Sequence, residues 1–124
     1  MEEPLVSQFG QLFISAEALE QLVLGVIAEQ DELLPLNRAL GDEGLLGMLA
    51  KAYKGSGVEV ERQGEEMKLR LELLARYGTP IPEAARQLIS TLRERLRELA
   101  ELEIIELELE VRGLFISPGS PPGG

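Results

Sequence analysis

Val58-Glu59-Val60-Glu61-Arg62-Gln63-Gly64-Glu65-Glu66-Met67-Lys68-Leu69-Arg70-Leu71-Glu72-Leu73 is two alternating runs joined by a glycine-containing turn. Val58 and Val60 alternate with Glu59 and Glu61, and Met67, Leu69, Leu71 and Leu73 alternate with Lys68, Arg70 and Glu72. Successive side chains of a strand point to opposite faces, so each run has one apolar and one charged side. Gln63-Gly64-Glu65 supplies the turn, and the stretch reads as a β-hairpin. One face goes to a core and the other to water. A third alternation sets Ile105, Leu107, Leu109 and Val111 against Glu106, Glu108, Glu110 and Arg112. It predicts another strand, with Gly113 marking a bulge or close approach before Leu114-Phe115-Ile116.

On either side of the hairpin the period changes. Leu19, Leu22, Val23, Val26 and Ile27 recur at helical spacing and predict a helix over about 16–29, capped by Ser15 with Glu17 and Glu20 near its start. Leu12-Phe13-Ile14 before it reads as a short strand. After the hairpin, Tyr77-Gly78-Thr79-Pro80-Ile81-Pro82 is a break and a helix start, since proline fits a first turn. Ile81, Ala85, Leu88, Leu92, Leu96 and Leu99, widened by Ala84 and Ile89, predict a helix over about 81–100. Arg86, Arg93, Glu94, Arg97 and Glu98 lie on its opposite face. Between these parts, Pro35, Gly41, Gly44 and Gly47 interrupt any long element. Leu45, Leu46, Met48, Leu49 and Ala52 still predict a short second helix near 44–53, closed by Gly55-Ser56-Gly57. The order β-α-(α)-β-β-α-β predicts an α+β two-layer sandwich: one mainly antiparallel sheet with helices packed on one face. Residues 1–9 are read as irregular, 10–116 as a single domain, and the Pro/Gly/Ser segment 117–124 as a disordered tail.

Composition narrows the chemistry. The 124 residues are enough for one domain with its own core. Cysteine and histidine are both absent, which removes disulfides, thiolate chemistry, the usual general base and the commonest metal ligand. Twelve basic against 22 acidic residues give a net charge of −10, a field that repels phosphates. The acidic start Met1-Glu2-Glu3-Pro4 is unlike a signal peptide, and Leu22 to Ala28 is the longest apolar run. These features predict a cytoplasmic protein that does not itself insert into a membrane.

Several segments together resemble a known family. Tyr77-Gly78 followed by Ile81-Pro82-Glu83-Ala84-Ala85, Lys54-Gly55 with Gly57-Val58-Glu59-Val60, and Gly10 with Leu12 to Ser15 are similar in order and spacing to the alkaline-shock protein family of bacterial envelope stress response proteins. The run from Ile105 to Val111 with Gly113-Leu114 resembles that family's closing strand. The resemblance covers about residues 10–116 and departs at 30–53, where Leu33-Leu34-Pro35-Leu36 and the glycines stand. It implies a non-enzymatic protein without a cofactor, linked to cell-envelope stress. It also implies self-association, and docking to a protein partner that for some members is an integral membrane protein. It supplies no site residues.

Each candidate site has a plain reading beside the functional one. The sheet face carrying Lys68, Arg70, Glu72, Glu106, Glu108, Glu110 and Arg112 is a solvated surface or a docking face for a partner. Were the two charged strands neighbours, Lys68 and Arg70 would pair across them with the glutamates. An open carboxylate row neither raises a carboxyl pKa for acid catalysis nor wraps a divalent cation. Gly41-Asp42-Glu43-Gly44 matches the G-x-x-G loop of KH-like nucleic-acid-binding modules, the alternative function, although two carboxylates occupy the phosphate-facing positions. Arg86, Arg93 and Arg97 form an anion site or pair with Glu94, Glu98 and Glu101 along the helix. Tyr77 is a catalytic phenol or a partly buried anchor of its turn. No serine lies in a G-x-S-x-G elbow and no phosphate loop is present, so catalytic, metal and cofactor residues are all expected to be none. Self-association is expected through a sheet edge or a helix face.

Overall fold

A computed structural model describes residues 5–7, 10–36 and 57–116. Its frame is one strand, β5 (Glu66–Arg76), which has neighbours on both edges. On one side lie β4 (Val58–Gln63) and β3 (Leu33–Pro35), both antiparallel to it. β4 covers Glu66 to Leu71 and β3 covers Leu73 to Ala75, so the two share one edge of β5 end to end. On the other side β6 (Glu103–Phe115) runs parallel to β5 along its length. A parallel neighbour needs a crossover, and α2 (Ile81–Ala100) is that crossover. With α1 (Ala16–Ile27) beside α2, the chain is an α+β two-layer sandwich with its helices packed on one face of the sheet.

The apolar alternation of β5 decides where the core sits. Met67, Leu69, Leu71, Leu73 and Ala75 are all buried against Leu19, Val23, Val26 and Ile27 of α1 and Ala84, Leu88, Leu92, Leu96 and Ala100 of α2. Each fully buried leucine or valine contributes about 1.5–3 kcal/mol relative to exposure, so this layer dominates the fold's stability. Ser15 caps α1 as expected, its hydroxyl accepting from the Ala18 N–H at 3.0 Å. The buried stripe of α2 runs in steps of four from Ala84, with Ile81 half-buried against the core as expected and Leu99 left out. Leu99 is exposed because the helix ends at Ala100, and Ala100 and Leu102 take the core positions there.

Several sequence expectations are corrected here. Leu5–Ser7, in the segment read as irregular, is β1, paired antiparallel with β2 (Gly10–Leu12). The strand expected at Leu12-Phe13-Ile14 therefore ends at Leu12, and Phe13 is exposed. The alternation sends Ile105 to the core, yet Ile105 is exposed and Ile104 is buried instead. The register explains the swap: Met67 pairs with Ile104 and Lys68 with Glu106, so Ile105 is the extra residue of a bulge. A second bulge falls at Arg112, beside the glycine suspected of marking one. Gly113 accommodates a close approach, since a Cβ there would lie 3.2 Å from Leu74 Cδ2. The helix expected near 44–53, the Gly41-Asp42-Glu43-Gly44 loop and the tail 117–124 lie outside the described residues.

Two local devices hold β3 and β4 against β5. Gln30 follows α1, and its side-chain N–H groups donate to the carbonyls of Ile27 and Leu33 at 2.7 and 2.8 Å. Its Oε1 accepts from the backbone N–H groups of Glu32 and Leu33 at 2.8 and 2.9 Å. One amide thus ends the helix and starts β3. Gly57, with φ of +84°, accepts from the Glu72 N–H at 2.7 Å and leads into β4. A Cβ at Gly57 would lie 2.8 Å from the Glu72 carbonyl oxygen, a contact no side chain tolerates. Gly57→Ala is therefore expected to cost about 2 kcal/mol or more, and Gln30→Ala about 1–3 kcal/mol, in urea unfolding. Losses below about 0.5 kcal/mol, the ordinary size of a surface substitution, would contradict both assignments.

Candidate functional site

The helix-free face of the sheet follows from the same registers. Residues of β5 that point away from the core are Lys68, Arg70 and Glu72, and their neighbours on β6 are Glu106, Glu108 and Glu110. On β4, Glu61 stands beside Lys68 and Glu59 beside Arg70. The rows across three strands therefore read Glu61–Lys68–Glu106 and Glu59–Arg70–Glu108. Each central cation has a carboxylate on either side, and these side chains line one shallow groove. Lys68 Nζ lies 3.8 Å from Glu106, and Arg70 lies 3.7 Å from Glu108 and 3.8 Å from Glu72. Arg112, at its bulge, reaches back to Glu110 at 3.1 Å. All seven residues singled out in the sequence are thus close together. Glu59 and Glu61 join them, and counting back from the Gly64 turn would have placed both on this face.

The balance on this face is negative. Glu59, Glu61, Glu72, Glu106, Glu108 and Glu110 outnumber Lys68, Arg70 and Arg112. Glu106 and Glu108 are 65% and 74% exposed, so their pairs are screened and each contributes ~1 kcal/mol at most.

At one end the same face turns apolar. Leu34 and Leu74, paired across β3 and β5, pack with Leu36 and Phe115 into a small second cluster. Near it, Tyr77, Leu114 and Ile116 are 71%, 50% and 73% exposed, Leu114 standing beside core-facing Ala75 and so on the other side of the sheet from Phe115. Tyr77 is therefore not the partly buried anchor expected. Its backbone does the anchoring, the N–H donating to the Phe115 carbonyl at 2.7 Å.

The remaining candidates resolve in other ways. Of the three arginines considered for an anion site, Arg93 instead donates to the Ile104 carbonyl at 2.6 Å, and a further arginine of α2, Arg95, pairs with Glu29, just beyond α1. The hydrogen bond and charge of Glu29 hold the Arg95 guanidinium above its usual pKa. Among the described residues no polar or charged residue is buried as a whole, and no group of acidic side chains is arranged to hold a metal ion. General acid–base chemistry relies on desolvated, poised groups, and this surface offers solvated ones. Among the described residues no helix is long and apolar enough to cross a membrane.

The chain is thus a two-layer α+β domain with a solvated, charged sheet face and an exposed apolar end. The model of the alkaline-shock protein family, described as having a "cell envelope-related function", matches residues 5–116, a span that contains every described residue. The chain belongs to this family, the one its motifs resemble, which is not known as a family of enzymes. It is similar to the uncharacterized protein YloU of Bacillus subtilis (strain 168), with 22% identity over 118 residues, 94% of this chain and 98% of that protein. No solved structure matches.

The charge rows give a test of their own. Arg70 stands between Glu59 and Glu108 and beside Glu72, so Arg70→Ala leaves three carboxylates with their mutual repulsion. A loss of about 1 kcal/mol at low salt is expected, shrinking as salt screens the repulsion. Urea unfolding of wild type and variant at several NaCl concentrations measures this. A salt-independent difference would mean that Arg70 acts through packing alone.

Proposed function

We propose that the chain is a non-enzymatic cytoplasmic scaffold of cell-envelope homeostasis, acting by self-association and by docking to a protein partner. The observation that carries this reading is the family match across the whole described domain, with its cell envelope-related description. The surface chemistry supports it in two places. The sheet face offers charged side chains held in register, suited to steering and orienting a partner of complementary charge. The apolar end at Tyr77, Leu114 and Ile116 offers exposed hydrophobic side chains of the sort found at association surfaces. Self-association belongs at this end or on the helix layer, because both β4 and β6 carry rows of carboxylates. A nucleic-acid partner has the negative charge of the face against it.

Association with the membrane then runs through an integral membrane partner. Capture with the tagged full-length protein from detergent-solubilised cells is expected to yield such a partner together with untagged copies of the chain. Sedimentation should show concentration-dependent size that falls in a Tyr77→Ser/Ile116→Ser variant. A strictly monomeric protein that captures only soluble enzymes, or RNA in a salt-sensitive way, would overturn the reading.

A further inference from the structure

We propose that the outer edge of β6, over Glu106 to Val111, takes an extended partner segment with Lys or Arg at alternate positions and aliphatic residues between them. The segment joins the sheet as an added strand, and the same edge refuses a second copy of this chain. This deepens the docking reading above and rests on it. β6 pairs with β5 on one side and, among the described residues, with no other strand. The bulges at Ile105 and Arg112 bracket the regularly paired run between them, so the edge is regular there and broken at both ends. An open edge presents backbone donors and acceptors, which give an added strand its affinity while alternate side chains give its specificity.

The side chains along that run specify the occupant. Glu106, Glu108 and Glu110 point to the helix-free face and are 65%, 74% and 52% exposed, with Lys68 and Arg70 of β5 beside the first two and Glu72 beside the third. Leu107, Leu109 and Val111 point the other way, half-buried against the core. β5 already displays the matching pattern on the inner edge, where Lys68 and Arg70 stand beside Glu106 and Glu108 while Leu69 and Leu71 stand beside Leu107 and Leu109. A second strand of that pattern on the outer edge would give Glu106 and Glu108 a cation on both sides and cover the half-buried aliphatics.

The described edge strands of a second copy do not supply it. β6 against β6 sets the glutamate row against itself, and β6 against β4 sets it against Glu59 and Glu61. Like charges directly opposed destabilise a pairing. Among the described residues the strand with alternating cations is β5, which is occupied on both edges.

The test is fluorescence anisotropy with three labelled peptides: Lys-Val-Lys-Val-Lys-Val, the block sequence Lys-Lys-Lys-Val-Val-Val, and the alternating sequence with every backbone nitrogen methylated. The alternating peptide is expected to bind at least about tenfold more tightly than either control, and to lose binding in Glu106→Lys/Glu108→Lys/Glu110→Lys. Amide shifts in the wild-type protein should centre on Glu106 to Val111, a readout that does not depend on the variant folding. In sedimentation, Glu106→Gln/Glu108→Gln/Glu110→Gln should gain self-association that the wild type lacks at this edge. Equal binding of all three peptides would reveal diffuse charge attraction and overturn strand addition, as would shifts centred elsewhere or no binding at all. Capture of an envelope partner alongside failed peptide binding would remove strand addition alone, whereas peptide binding without an envelope partner would remove the scaffold reading alone.

Discussion

β5 has both edges occupied, and most of the molecule is organised by that constraint. Its inner alternation, Met67 to Ala75, sets the plane on which α1 and α2 lie. Its outer alternation places Lys68 and Arg70 at the centre of the charged face, where carboxylates from β4 and β6 close around them. Because β6 arrives in parallel, it can be joined to β5 only through a long crossover, and α2 both makes the connection and covers the core. With β5 filled, the sheet's unpaired backbone among the described residues lies on its outer strands. A single strand therefore fixes the core, the charged surface and the location of the open edges.

The parts of this arrangement with a clean period are legible in the sequence. β4, β5 and most of β6 alternate because one face is buried and the other solvated, and both helices show their stripes. β3 is not legible for the opposite reason. Leu33 faces the main core while Leu34 and Leu36 join Leu74 and Phe115 on the other side, so a strand covered on both faces shows no alternation. Ile105 defeats the pattern because a bulge breaks parity, and two adjacent isoleucines give no hint of which one turns inward. Gln30 carries no signal either, since its four hydrogen bonds exist only once α1 and β3 are in place. The candidate face is readable residue by residue, but its glutamate–cation–glutamate rows depend on strand order, which periodicity does not encode.

The functional picture follows from what the surface presents. Among the described residues the buried layer is apolar and the ionisable groups of the sheet face are solvated. In the proposed reading, the carboxylate rows on β4 and β6 protect an otherwise open sheet from pairing with its own copies, a recurrent hazard of exposed edges. In that reading the same rows make the edge selective for a segment of opposite charge. Envelope-related family membership and the proposed charged, strand-like docking are consistent with each other.

Amide hydrogen exchange along β6, resolved residue by residue, tests the central claim most directly. With β5 on one side and an open edge on the other, alternate amides between Glu106 and Val111 should exchange slowly and their neighbours fast. The amides of β5 should be protected throughout, since both of its edges are paired. Uniform protection along β6, or fast exchange at alternate positions of β5, would contradict a sheet centred on β5 with β6 at its edge.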